Sequence, residues 1–191
     1  MERALELLKL VKINDPERRL KAYPHELSGG MAQRIMIAMA LINNPRVIIA
    51  DDCTNGLDVT VAAQIMDLFQ GLMETQHSSG IMITHDLGIV AQCCTHIAII
   101  YSGQIIETAK VTDFFAGCRH PYSQMLLDSL PENIQKTKQP RISGIQNDPY
   151  SLPDGCLFYA RCPYRQQRCG EVEPQERLVG SNHIVKCHYP L

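Results

Sequence analysis

The chain has 191 residues, 45% of them hydrophobic and 20% charged, and a formal net charge of -2. That is enough apolar material for one domain, or for one domain with a small appendage, and it leaves no global basic field to hold nucleic acid or an anionic membrane surface. No apolar run reaches the roughly 18 to 20 residues that span a bilayer, and the charged amphipathic start has no cleavable apolar core, so the sequence reads as cytoplasmic.

Leu5, Leu8 and Val11 recur at helical spacing, widened by Leu7 and Leu10, and predict a first helix over 2–12 that Asn14-Asp15-Pro16 stops. A short helical stretch over 17–22 follows. Ser28-Gly29-Gly30 then precedes an apolar helical run over 31–42, closed by Pro45. The run over 47–50 is β-branched and apolar, ends in two acids, and suits a buried parallel strand. Next come a helix over 59–75 with Ile65, Leu68, Phe69 and Leu72 on one face, a strand over 80–84 and a helix over 87–93. Strands over 96–101 and 104–108 flank the turn at Ser102-Gly103. Strands alternating with helices imply an α/β sheet. A last helix runs from His120-Pro121-Tyr122 to about 130. Beyond it Pro, Gln, Asn, Lys and Cys dominate with weak periodicity, which places a boundary near 131.

Three stretches carry chemistry. In Leu27-Ser28-Gly29-Gly30-Met31 a hydroxyl and two glycines stand before a helix, where unpaired N–H groups and the positive end of the helix dipole make an anion site. Read alone, this is as readily a serine N-cap with a turn. Asp51 and Asp52 end an apolar strand, at the sheet edge where open α/β folds bind ligands. Asp51 suits a hydrated Mg²⁺ and Asp52 can orient or deprotonate a water, although isolated acids at a strand end are more often merely solvated. Asp58 is a candidate N-cap of the following helix. His85, in Ile83-Thr84-His85-Asp86, ends the next strand on the same edge, where it can reach a γ-phosphate or the water; a lone histidine there would be structural.

In this order and spacing the motifs resemble the second half of an ABC-transporter nucleotide-binding domain, a P-loop NTPase. The resemblance makes Leu27-Ser28-Gly29-Gly30 the signature, Asp51 the Walker B aspartate, Asp52 the catalytic carboxylate, Gly56-Leu57-Asp58 the D-loop and His85 the switch histidine. Tyr23-Pro24-His25-Glu26, Leu57-Asp58-Val59-Thr60, Tyr101-Ser102-Gly103-Gln104 and His120-Pro121-Tyr122 are similar to the oligopeptide, dipeptide and nickel importer branch. The implied architecture is a helical signature subdomain over 1–43, the C-terminal part of the α/β ATPase core over 44–130, and a small irregular Cys-rich extension over 131–191. The implied function is energy coupling in peptide import, with ATP and Mg²⁺ as ligands. Ser28, Gly29, Gly30 and Asp58 would contact nucleotide held by a second ATPase subunit. Membrane permease subunits and, indirectly, a peptide-binding protein would be further partners, with the chain peripheral on the cytoplasmic face of the membrane. Nucleic acid is not among them.

Two departures bear on activity. No Gly-Lys dipeptide occurs, so the chain contains no glycine-rich phosphate loop and is expected not to hydrolyse ATP by itself. Asp52, followed by Cys53, stands where the family usually has glutamate followed by proline, which shortens the acid by one methylene.

Cys156, Cys162, Cys169 and Cys187 are separated by 5, 6 and 17 residues. Four thiols in a small cytosolic segment suggest a metal staple. The close C-x(2–4)-C pair of most zinc sites is missing, whereas a [4Fe–4S] cube accepts looser spacing and Cys162-Pro163 is similar to ferredoxin runs. The extension of the importer branch shows the same cysteine pattern. An iron–sulfur cluster is therefore favoured, with Zn²⁺ and free thiols or disulfides as alternatives and His183 and His188 as alternative ligands. Cys93, Cys94 and Cys118 are expected in helices as small apolar residues. A competing reading makes the chain a non-catalytic remnant that acts as an interaction or redox module through this tail.

Overall fold

The computed structural model describes residues 1–76, 78–130 and 151–191, so the boundary expected near 131 lies outside the described residues. The chain divides into two units, Met1–Cys93 and Cys94–Leu191.

The first unit runs α1 (Glu2–Leu10), α2 (Pro16–Arg19), a 3-10 turn at Pro24–Glu26, α3 (Gly29–Leu41), β1 (Val47–Asp51), α4 (Val59–Gln76), β2 (Ser79–Ile83) and α5 (Leu87–Cys93). Helix α1 stops short of its expected end because the chain turns out of helical space at Lys12, with φ 58°. Leu7, Leu8 and Val11 are buried, whereas Leu10 is 41% exposed and does not widen the apolar stripe. The core gathers these residues with Ala38 and Leu41 of α3, Ile48 and Ala50 of β1, and Leu68, Phe69 and Leu72 of α4. Arg34 binds the layers together: one guanidinium nitrogen donates to the Val11 carbonyl (3.1 Å) and another to Gln64 Oε1 (3.0 Å).

Strands β1 and β2 pair in parallel, from Val47 opposite Ser79 to Asp51 opposite Ile83. Ile48 and Ala50 are buried, but on the other face Val47, Ile49, Ile81 and Ile83 are 49% to 64% exposed. The expectation of a buried strand thus holds for one face only, because the described helices cover one side of this two-stranded sheet. Asp51 shares the open face with Val47 and Ile49, since side chains alternate along a strand.

The second unit runs β3 (His96–Tyr101), β4 (Gln104–Lys110), α6 (Val111–Gly117), α7 (Pro121–Asp128), a 3-10 turn at Tyr159–Arg161, α8 (Gln167–Glu171), β5 (Glu176–Gly180) and β6 (His183–Lys186). The strands form one antiparallel sheet in the order β3-β4-β6-β5. The tail is therefore not wholly irregular. Its hairpin turns with Asn182 at φ 61° and joins β4 through Glu107 opposite Val185 and Thr108 opposite Ile184. Cys94 and Cys118 stand just past the ends of α5 and α6 rather than within helices.

At the joint between β4, α7 and β6 lies Glu107, 1% exposed. Its carboxylate accepts from the Arg119 N–H (2.5 Å), the His120 N–H (3.0 Å) and His183 Nε2 (2.7 Å). Beside it Tyr101, Tyr122 and Phe158 form an aromatic cluster with ring centroids 4.7 to 5.5 Å apart, flanked by the Arg161 guanidinium 5.9 Å from two of the rings.

Candidate functional site

In the first unit, parallel pairing sets the ends of β1 and β2 side by side. The Asp52 N–H donates to the Ile83 carbonyl (2.9 Å) and the Asp52 carbonyl accepts from the Asn55 N–H (3.0 Å), which closes a turn. That turn holds Asp52 at φ 43°, a left-handed conformation that aspartate tolerates better than most residues. The same pairing brings His85 Nδ1 to 3.4 Å from Asp52 Oδ1, with both side chains open to solvent at 83% and 46% exposure. Asp51 ends β1, also exposed. Two carboxylates and an imidazole thus stand together at the carboxyl ends of two parallel strands.

Ser28 caps α3, its Oγ accepting from the Met31 N–H at 3.4 Å, and the two glycines form the first turn of the helix rather than a loop before it. A Cβ on Gly30 would lie 2.8 Å from Val61 Cγ1, and one on Gly29 would lie 3.6 Å from Leu57 Cδ2. Gly30 is thus needed for close packing of α3 against the start of α4, whatever it does for a phosphate. Asp58 caps α4, accepting from the Val61 N–H at 3.0 Å. The starts of α3 and α4 are therefore neighbours, while Asp52 and His85 form a separate pair.

In the second unit, Cys156, Cys162, Cys169 and Cys187 line one cavity together with His120, Phe158, Tyr159, Tyr164, His188 and Tyr189. Among the described residues no group of three or more His, Cys, Asp or Glu side chains is arranged to hold a metal ion as it stands, so the expected staple is represented by a shared cavity wall and not by a closed ligand set. No disulfide joins the cysteines. Burial pushes the Cys156 and Cys162 thiols up and takes Cys187 to about 11, with repulsion among the cysteines adding to it. His183 does not line the cavity, being engaged by Glu107. His188 does, with Nε2 donating to the Val172 carbonyl at 2.8 Å.

Sequence reasoning passed over Gly155. The Cys156 N–H donates to the Cys169 carbonyl at 2.7 Å, which draws the two backbones together. A Cβ on Gly155 would overlap the Cys169 carbonyl oxygen and stand 2.6 Å from the Gly170 carbonyl carbon. Because backbone rather than a flexible side chain is in the way, Gly155→Ala is expected to destabilise the second unit by about 1 to 3 kcal/mol. Chemical denaturation measures it, and a loss below about 0.5 kcal/mol would show that the loop relaxes freely.

Solved ATP-binding cassettes share the fold of part of this chain. An ATP-binding cassette named MJ0796, solved as a dimer bound to ADP and Pi, matches at 34% identity with TM-score 0.51, over 58% of this chain and 46% of that one. The cassette MJ1267 in its ADP conformation matches at 23% identity and TM-score 0.56, over 68% of this chain and 50% of that one, and speaks for the fold alone. Residues 1–55 match the family described as ABC transporter, and residues 106–169 match the oligopeptide/dipeptide transporter, C-terminal region. The dipeptide transport ATP-binding protein DppD of Haemophilus influenzae is 49% identical over 191 residues, all of this chain and 58% of that protein. The Escherichia coli DppD is 44% identical over the same share, and the Bacillus subtilis oligopeptide transport ATP-binding protein OppD is 44% identical over 97% of this chain and 52% of that protein. The chain belongs to the ABC transporter family, in the oligopeptide/dipeptide branch. It spans 58% of the length of the dipeptide transport proteins it matches.

Proposed function

We propose that this chain supplies the signature helix, the acid edge and the switch histidine of a composite ATP site that drives peptide import. The observation that carries the reading is the Asp52–His85 pair, 3.4 Å apart where two parallel strands end. Asp51 holds Mg²⁺, Asp52 takes or orients the proton of the attacking water, and His85 donates to the γ-phosphate or steadies the water. Ser28, Gly29, Gly30 and Asp58 face nucleotide held by a second ATPase subunit. Membrane permeases receive the resulting closure, with a peptide-binding protein acting through them, and the chain works on the cytoplasmic face of the membrane. The remnant reading gains nothing from the relatives, whose similarity runs through the signature and acid segments as well as the tail.

A site of this kind needs a phosphate loop, and no Gly-Lys dipeptide occurs in the chain. The isolated chain is therefore expected to show no measurable affinity for Mg-ATP. Isothermal titration returning a micromolar dissociation constant would overturn the division of labour just described.

For the tail we propose a [4Fe–4S] cluster held by Cys156, Cys162, Cys169 and Cys187. Supporting it are the one cavity that all four line and the largely aromatic wall around it. When bound, the cluster supplies thiolate–iron bonds that tie the loop before Cys156, α8 and the segment after β6 together. Anaerobic reconstitution with iron and sulfide should give brown protein with broad absorbance at roughly 400 nm. Colourless protein with stoichiometric zinc would refute the assignment.

A further inference from the structure

We propose that His120 is a positioning residue of the four-cysteine site: its Nε2–H donates to a sulfur in the cavity and links the site to the start of α7. This rests on the iron–sulfur reading. His120 is 1% exposed and shares the cavity wall with all four cysteines. Its ring is oriented through Nδ1, which accepts from the Tyr122 N–H at 3.0 Å, and through its own backbone N–H, fixed on Glu107 Oε2 at 3.0 Å. The ring stands tilted beside Phe158, with centroids 5.8 Å apart.

A neutral ring whose Nδ1 accepts carries its single proton on Nε2. The other imidazole on the wall, His188, uses its Nε2 on the Val172 carbonyl. His120 is thus the imidazole whose N–H is available to the cavity, and it also begins α7, since Pro121 and Tyr122 follow it directly.

Hydrogen bonds to cluster sulfurs raise the reduction potential, because they stabilise the more negative reduced form. His120→Asn keeps a good cap for α7 but withdraws the donor from the cavity. In the full chain, reconstituted anaerobically and titrated by electron paramagnetic resonance, this variant is expected to keep its colour and to titrate at lower potential. The expected shift is about tenfold in the reduced-to-oxidised ratio at fixed poise, or ~59 mV for a one-electron couple. A brown variant with an unshifted potential overturns the proposal. Unsubstituted protein that stays colourless overturns the cluster reading itself, a different outcome from the first. Should His120→Asn fail to fold, [15N]histidine-labelled His188→Gln protein provides the test: weak imidazole nitrogen coupling to the reduced cluster is expected, and its absence overturns the proposal.

Discussion

Replacing Asp52 by glutamate should raise ATP turnover by about 10-fold to 100-fold in a chimera that joins this chain behind the upstream part of the Haemophilus influenzae relative. The acid sits on a turn fixed by its own N–H on the Ile83 carbonyl and by its carbonyl on the Asn55 N–H, so the backbone cannot advance to make up for a short side chain. The carboxylate reaches His85 only at 3.4 Å, beyond a strong charge-assisted bond. A misplacement of about 1 Å at a reacting group can cost on the order of a hundredfold in rate. Working against the gain is the left-handed backbone at φ 43°, which glutamate adopts less readily, at a cost of roughly 1 kcal/mol in stability. Stability and turnover should therefore move in opposite directions. Steady-state phosphate release gives the rate, and thermal denaturation the stability. Unchanged or slower turnover would mean that acid length does not limit the step. His85→Ala in either background should abolish most of the turnover, a loss of about 10² to 10³ for the hydrogen-bond donor to the γ-phosphate proposed above.

The second large effect is at Glu107. Glu107→Ala strips the acceptor from two backbone N–H groups and from His183, all at a joint that is essentially closed to water. Leaving a buried charged network with one partner removed costs about 3 to 5 kcal/mol, and each stranded donor alone about 1 to 3. Urea unfolding of the second unit should therefore shift by roughly 1 to 3 M at ordinary slopes. Hydrogen exchange should show β5 and β6 losing protection first, since His183 is the tail's bond to the carboxylate. Glu107→Gln keeps one carbonyl acceptor and should cost less. A loss under about 1 kcal/mol for the alanine variant would mean that the sheet pairing holds the tail without this joint.

How much of this was legible in the sequence depends on how local each signal is. Helix α5 and strand β3 match the periodic pattern because their neighbours in the chain impose it. The turn that carries Asp52 is signalled only by two adjacent acids; its left-handed backbone follows from pairing with β2, some thirty residues on. Helix α6 escaped because Val111–Gly117 is seven residues long, rich in β-branched and aromatic types, and ends in glycine. The β5–β6 hairpin escaped because β6 has its buried partner, Glu107, 76 positions away from His183, and local composition cannot report that. The exposed Val47 and Ile49 read as buried for the opposite reason: their apolar character is plain, but which face is covered depends on elements beyond the strand pair. Around the cysteines, spacing suggested a metal staple and the structure gives the four a shared cavity wall, while the need for glycine at 155 arises from a backbone approach that no spacing records.

The pairing of β4 with β6 also sets an order in time. Contacts this distant in sequence form slowly, because loop-closure entropy is lost before any contact energy is returned. On the ribosome β3 and β4 emerge well before the hairpin, and of the four cysteines Cys187 comes last, just after β6. The cavity wall is therefore three-sided during synthesis and gains its fourth side only when the hairpin zips onto β4. Any cofactor destined for that cavity has a window for delivery between the exit of Cys169 and the docking of His183 on Glu107, after which Tyr189 and His188 close the wall and opening it again means unzipping the sheet.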